Sequence, residues 1–258
     1  MPRNATLTKT SRGLTAVVFL AGLLLAACTA APQRLSDDAI AALIASPDRS
    51  AADRANDARR KPDKMLAFSG IAPGWRVLDL GAGGGYSTEL VARAVGASGR
   101  VYAQSEPMQA AARERFMERL KTPANRNVTL HELASENPVP AEIAPGSLDA
   151  VTMFFAYHDL GNPAVDRAKM NRAVFAALKP GGLFVIADHA GRAGTGTSEW
   201  NTLHRIEEVA LRREVEAAGF RLAGEADFLR NPADPRDRMV FKPSQPNDEF
   251  VLKFEKPR

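Results

Sequence analysis

The chain has 258 residues, 45% hydrophobic and 25% charged, with 34 basic against 30 acidic side chains and a single cysteine. That apolar content excludes a disordered or collagen-like chain, and one thiol excludes an internal disulfide framework or a cysteine-based zinc site. The length suits one α/β domain with a sizeable core, while the net charge of +4 and the pI near 9.4 raise the question of nucleic-acid binding.

The N-terminus answers that question. Arg3, Lys9 and Arg12 precede Leu14 to Ala27, fourteen residues without a charge. A membrane-spanning helix needs roughly 20 apolar residues, so this run has the length of a signal-peptide core instead. It ends Leu25-Ala26-Ala27-Cys28, which resembles the lipobox of bacterial lipoproteins. The resemblance implies that residues 1–27 are removed and that Cys28 carries the lipid that anchors the chain to the membrane. An ordinary cleaved signal is the alternative. Thr29 rather than an aspartate follows the cysteine, which in Gram-negative lipoproteins favours the outer membrane over the inner. Without residues 1–27 the charge falls to +1 over 231 residues, so no polyanion-binding surface and no nucleic-acid partner are expected.

Residues 28–34 read as a short tether, and residues 35–74 as a helical lead-in. Ser36 is a helix cap ahead of Asp37 and Asp38, with Ile40, Leu43 and Ile44 on one face. A polar helix is predicted over 51–60 and a short one over 63–68, closed by Gly70 and Pro73-Gly74. From residue 75 to 258 strands and helices alternate. Strands are predicted near 77–80, 100–103, 128–131, 148–155, 183–187, 222–228 and 250–254. Helices are predicted over 87–95, 108–121, 164–178 (with Asn162-Pro163 as cap and first turn) and 203–218. This order means an α/β fold: a seven-stranded, mostly parallel sheet with helices on both faces.

The run Asp79-Leu80-Gly81-Ala82-Gly83-Gly84-Gly85 joins the first of these strands to a helix. Glycines there allow a tight turn and let a ligand lie against backbone N–H groups at a helix start. A dinucleotide fingerprint needs a sixth-place glycine, and Tyr86 stands there instead. The run resembles motif I of class I S-adenosylmethionine (SAM) methyltransferases, and the resemblance extends over 75–257. Within that superfamily the chain is similar to a branch of exported predicted methyltransferases, through Tyr157-His158-Asp159, Ala187-Asp188-His189, His204-Arg205 and the closing Phe250-Val251-Leu252-Lys253-Phe254. The resemblance implies a Rossmann-like methyltransferase fold, SAM as cofactor, and Asp79, Gly81, Gly83 and Gly85 around its amino-acid end. The ribose-binding acid of that family falls here at Gln104 or Ser105, with Glu106 one step late, and the adenine site falls near Ser135.

Methyl transfer needs an aligned nucleophile and, for oxygen or nitrogen acceptors, a base. His158 with Asp159, and His189 with Asp188, follow the fourth and fifth strands of the sheet, at the carboxyl edge where open α/β sheets bind ligands. His158, Asp159 and His189 are therefore the candidate catalytic residues. The pairs are expected to converge on one pocket, against the plainer reading in which the acids cap turns and the histidines are solvated. No metal ligand is assigned, although mixed histidine–carboxylate ligation stays open. His204 is expected on a helix without a role. The expected function is methyl transfer to a small-molecule or lipid-like acceptor at the bacterial envelope. The alternative is a nucleoside- or lipid-binding lipoprotein that keeps the fold without catalysis. The sequence assigns no oligomeric state.

Overall fold

The computed structural model describes residues 1–2, 33–241 and 245–258. The predicted signal segment 1–27 lies almost entirely outside the described residues, as does Cys28. Contacts divide the chain into residues 1–31 and 32–258, and the elements below belong to the second unit. No helix among the described residues is long and apolar enough to cross a membrane.

Three short helices come first. Ser36 caps α1 (Asp37–Ile44) by accepting the Ala39 amide, and Ser50 caps α2 (Ala51–Arg60) by accepting that of Asp53. α3 (Pro62–Ser69) starts on a proline and stops at Gly70. The sheet then forms from β1 (Arg76–Leu80), β2 (Arg100–Ser105), β3 (Val128–Glu132), β4 (Leu148–Phe154), β5 (Leu178–His189), β6 (Arg221–Ala226) and β7 (Glu249–Glu255). Between them run α4 (Tyr86–Val95), α5 (Ala110–Leu120), α6 (Arg167–Ala177) and α7 (Glu208–Ala217).

The strand order is β3-β2-β1-β4-β5-β7-β6, with β7 antiparallel to both neighbours and the rest parallel. The seven-stranded, mostly parallel sheet read from the sequence is thus observed. β1 is buried on both faces. Val77 joins Ile40, Leu66 and Val91 of the α1, α3 and α4 side, while Leu78 and Leu80 join Met170, Val174, Leu211 and Val215 of α6 and α7. The order reverses between β1 and β4, and their carboxyl ends open a crevice there.

Two helix starts fall three or more residues later than the sequence expectation. α6 begins at Arg167 because the Asp166 carboxylate accepts the Lys169 amide at 2.8 Å, while Asn162 turns back on Ala164. α7 begins at Glu208, so His204 is not helical. The Arg205 guanidinium is buried against Asp234 (2.9 Å) and the Ala190 carbonyl (3.0 Å), and Ile206 bridges to Ala190. These ties hold residues 203–207 out of helical geometry, with His204 at φ +54.

Candidate active site

The glycine run forms the turn from β1 into α4. Gly81 has φ +63, and a Cβ there would lie 2.5 Å from the Ala156 Cβ, so both its conformation and its lack of a side chain are required. Gly83 (φ +53) needs the conformation only, since nothing but a backbone oxygen at 3.8 Å lies near its missing Cβ. Gly85 is the N-cap of α4. Asp79 is buried at the end of β1, where its two oxygens accept the hydroxyls of Thr88 and Thr152 at 2.6 Å each. Burial pushes its carboxyl up to about 6, against the pull of the two hydroxyls.

Asp79, Gly81 and Gly83 line a cleft of ≈ 550 Å³ counted with its open mouth, together with Arg60, Tyr86 and Phe155. Arg60 comes from the last turn of α2. Its guanidinium lies 3.8 Å from the centre of the Phe155 ring and makes no hydrogen bond among the described residues. Burial, aided by neighbouring Arg59, lowers its pKa to about 10. α2 is fixed to the loop by charge. Arg49 forks onto Asp57 (2.7 and 2.8 Å), which accepts the Tyr86 hydroxyl at 2.7 Å, and Arg119 joins Asp53 of α2 to Glu89 of α4. The lead-in helix therefore forms one wall of the cleft. The sequence alone assigns it no role.

Of the residues expected at the ribose and adenine positions, Gln104 is committed to the protein. It is buried, accepts the Gly81 amide at 3.2 Å and donates to the Leu133 carbonyl at 2.7 Å, bracing the loop from below. Ser105 is half-buried and Glu106 exposed. Glu106 accepts the Ser135 amide at 2.6 Å, so the two expected positions meet at the rim beyond β2 and β3.

Beyond Phe155 lies a row of histidines. The ring centres of Phe155 and His189 are 5.1 Å apart, those of His189 and His158 5.5 Å, and those of His158 and His204 5.5 Å. His158 and His189 come together and are both buried rather than solvated, but neither lines the glycine cleft. The pairing is crossed, however. Asp188 serves His158, not the His189 ring: its carboxylate takes the His158 Nδ1 (2.7 Å), the His158 amide (2.8 Å) and the His189 amide (2.8 Å). In a parallel strand the Asp188 and His189 side chains point to opposite faces, which rules out a pair between neighbours. The His189 Nδ1 instead lies 2.9 Å from Glu249 Oε1, a charge contact without hydrogen-bond geometry. Burial alone would lower the pKa of His158, but Asp188 and Asp159 facing it carry it up to about 10. Glu249 and His204 were not foreseen: each is distant in sequence from the partner it meets.

Residues 77–182 match the methyltransferase domain family. The trans-aconitate 2-methyltransferase of Delftia acidovorans is 33% identical over 135 residues, 51% of this chain and 44% of that protein. A ubiquinone/menaquinone biosynthesis C-methyltransferase of Burkholderia multivorans is 26% identical over 171 residues, 66% of this chain and 63% of that one. The matched stretch thus spans 44% and 63% of the lengths of these curated relatives, less than two thirds of either. Among solved structures, a SAM-dependent methyltransferase from Aquifex aeolicus superposes with a TM-score of 0.58 at 20% identity, over 86% of this chain and all of that one. Geranyl diphosphate C-methyltransferase from Streptomyces coelicolor, crystallised with Mg2+, geranyl diphosphate and S-adenosyl-L-homocysteine, superposes at 0.57 with 14% identity, over 83% of this chain and 89% of that one. Residues 77–182 thus match a methyltransferase domain, and the sheet in which they lie has the Rossmann-like fold seen in a SAM-dependent methyltransferase.

Proposed function

We propose that the chain is a SAM-dependent methyltransferase acting on a small-molecule or lipid-like acceptor at the bacterial envelope, held there by a lipid on Cys28. The observation that carries the methyltransferase reading is the opposition of charges across the glycine cleft, Asp79 on one wall and Arg60 on the other. A zwitterionic amino-acid end fits between them, its ammonium toward the carboxylate and its carboxylate toward the guanidinium. Each Asp79 oxygen takes a single hydroxyl, which leaves lone pairs for a further donor. Ser105 and Glu106 stand at the rim for the ribose.

When bound, the cofactor supplies a methyl group to a nucleophile and leaves as S-adenosylhomocysteine. The chain has to bind it, align the acceptor and receive a proton where the acceptor carries one. His189 is the ring of the row nearest the cleft, behind Phe155, and Glu249 stands ready to stabilise its cation. We assign it the proton-accepting role, with His158 and Asp159 behind it on the acceptor side. A trans-aconitate enzyme and a ubiquinone/menaquinone-biosynthesis enzyme among the relatives support a small organic acceptor. The run Leu25-Ala26-Ala27-Cys28 supports the envelope address, and Thr29 after it favours the outer membrane.

Calorimetric titration of the full chain with SAM and with S-adenosylhomocysteine tests the reading. Binding in the micromolar range is expected. No heat at millimolar ligand would remove it, and binding without methyl transfer to any acceptor would favour a non-catalytic binding protein.

A further inference from the structure

His158, Asp159 and His204 each bring one ligand atom within 4.8 Å of the others at the outer end of the histidine row. Asp159 Oδ1 is 3.3 Å from the His158 nitrogen and 3.4 Å from the His204 nitrogen. Both are long for N–H···O hydrogen bonds, which centre near 2.9 Å. The same His158 ring shows what a full bond looks like here, at 2.7 Å to Asp188. As edges of a coordination polyhedron the longer distances fit. Nitrogen and oxygen ligands about 2.0–2.1 Å from a tetrahedral ion stand roughly 3.3 Å apart. The third edge needs the two rings to draw together on binding.

The surroundings aim the three groups. Asp188 accepts the Nδ1–H of His158, which turns Nε2 toward Asp159 and His204, and an ion bound there would take the place of the Nε2 proton. A buried carboxylate behind a histidine is the outer support that ligating imidazoles use. His204 holds a left-handed backbone, φ +54, uncommon for a non-glycine residue. Its ring is fixed between Phe241 (4.7 Å) and the edge of His158. The Asp159 and His204 side chains are 56% and 25% exposed, so an ion could enter from solvent and keep an open position.

We propose that His158, Asp159 and His204 form a binding site for one divalent transition-metal ion, with Asp188 as the positioning residue of His158. Two imidazoles and one carboxylate suit zinc or ferrous iron, and disfavour magnesium and calcium, which prefer all-oxygen shells. The open position faces the acceptor side and would take an acceptor oxygen. That use rests on the methyltransferase reading, whereas metal binding itself does not. An imidazole whose Nε2 holds an ion takes no proton, which is consistent with the proton passing to His189.

The test uses the untagged full chain, stripped with a chelator and titrated with Zn2+ and, separately, with Co2+ followed by its visible absorption. One equivalent should bind at micromolar concentration or tighter, and Mg2+ and Ca2+ should give no competition at millimolar concentration. His204→Ala and Asp159→Asn should each weaken Zn2+ binding at least 100-fold, and Asp188→Asn 10- to 100-fold. S-adenosylhomocysteine affinity, read on the same samples, reports that the fold survives each change. No Zn2+ binding at 100 µM, or undiminished binding in the double variant His204→Ala/Asp159→Asn, would overturn the site. If Zn2+ binds and S-adenosylhomocysteine does not, the metal site stands and the methyltransferase reading falls.

Discussion

The glycine cleft and the histidine row lie side by side on one edge of the sheet, yet they are built in opposite ways. The cleft is mostly local: Asp79 to Ser87 is a single stretch of chain, and its shape comes from backbone angles that only glycine takes readily. The row is assembled from residues 155, 158, 189, 204 and 249, which meet only when β4, β5 and β7 pair. A local site tolerates change around it but not within it. An assembled site depends on the partners that hold each ring. On the proposed function, ligand binding belongs to the cleft and turnover to the row, so substitutions should separate the two.

The largest effect is expected at Gly81. Gly81→Ala adds a Cβ 2.5 Å from that of Ala156 and strains a positive φ. Calorimetry should show S-adenosylhomocysteine affinity down about 100-fold or more, with stability lower by roughly 1–3 kcal/mol. Gly83→Ala, which strains the backbone without a clash, should cost less. Next comes the row. His189→Gln should lower turnover by about 100-fold while leaving S-adenosylhomocysteine affinity within a few fold, and a parallel loss of both would erase the division of labour. Arg60→Met should weaken S-adenosylhomocysteine roughly tenfold through one lost charge-assisted contact, with circular dichroism unchanged.

The smallest effect is a pH dependence. Burial raises the Asp79 carboxyl to about 6, and a cationic ligand group favours its ionised form, so S-adenosylhomocysteine affinity should rise as pH climbs through 6 and level above it. Between pH 7 and 5 the change should be about tenfold, and Asp79→Asn should flatten it. The folded pKa lies above the unfolded one. The group's contribution to stability is therefore greatest below about pH 4 and is lost as pH rises toward 6. Thermal melts across that range should show the drop, and Asp79→Asn should reduce it.

The same contrast decides what could be read from the sequence. Asp79, Gly81, Gly83 and Gly85 were legible because turn geometry restricts residue type over a few consecutive positions. The strand–helix order was legible because apolar runs and breakers mark it. The crossed pairing was not: adjacency in sequence joined Asp188 to His189, whereas strand geometry sends those side chains apart and gives Asp188 to His158. His204 was placed on a helix because the apolar pattern continues through it, and only the buried Arg205 shows why the helix starts later. Arg60 carries no local pattern at all. Its meaning comes from α2 being tied to Tyr86 through Asp57.

The most direct measurement is a crystal structure of the full chain with S-adenosylhomocysteine. The account predicts its amino-acid end between Asp79 and Arg60 over the glycine loop, its ribose toward Ser105 and Glu106, and its sulfur toward Phe155 and the histidine row. A cleft left empty at millimolar ligand, or a ligand bound with its amino-acid end away from Asp79 and Arg60, would contradict it.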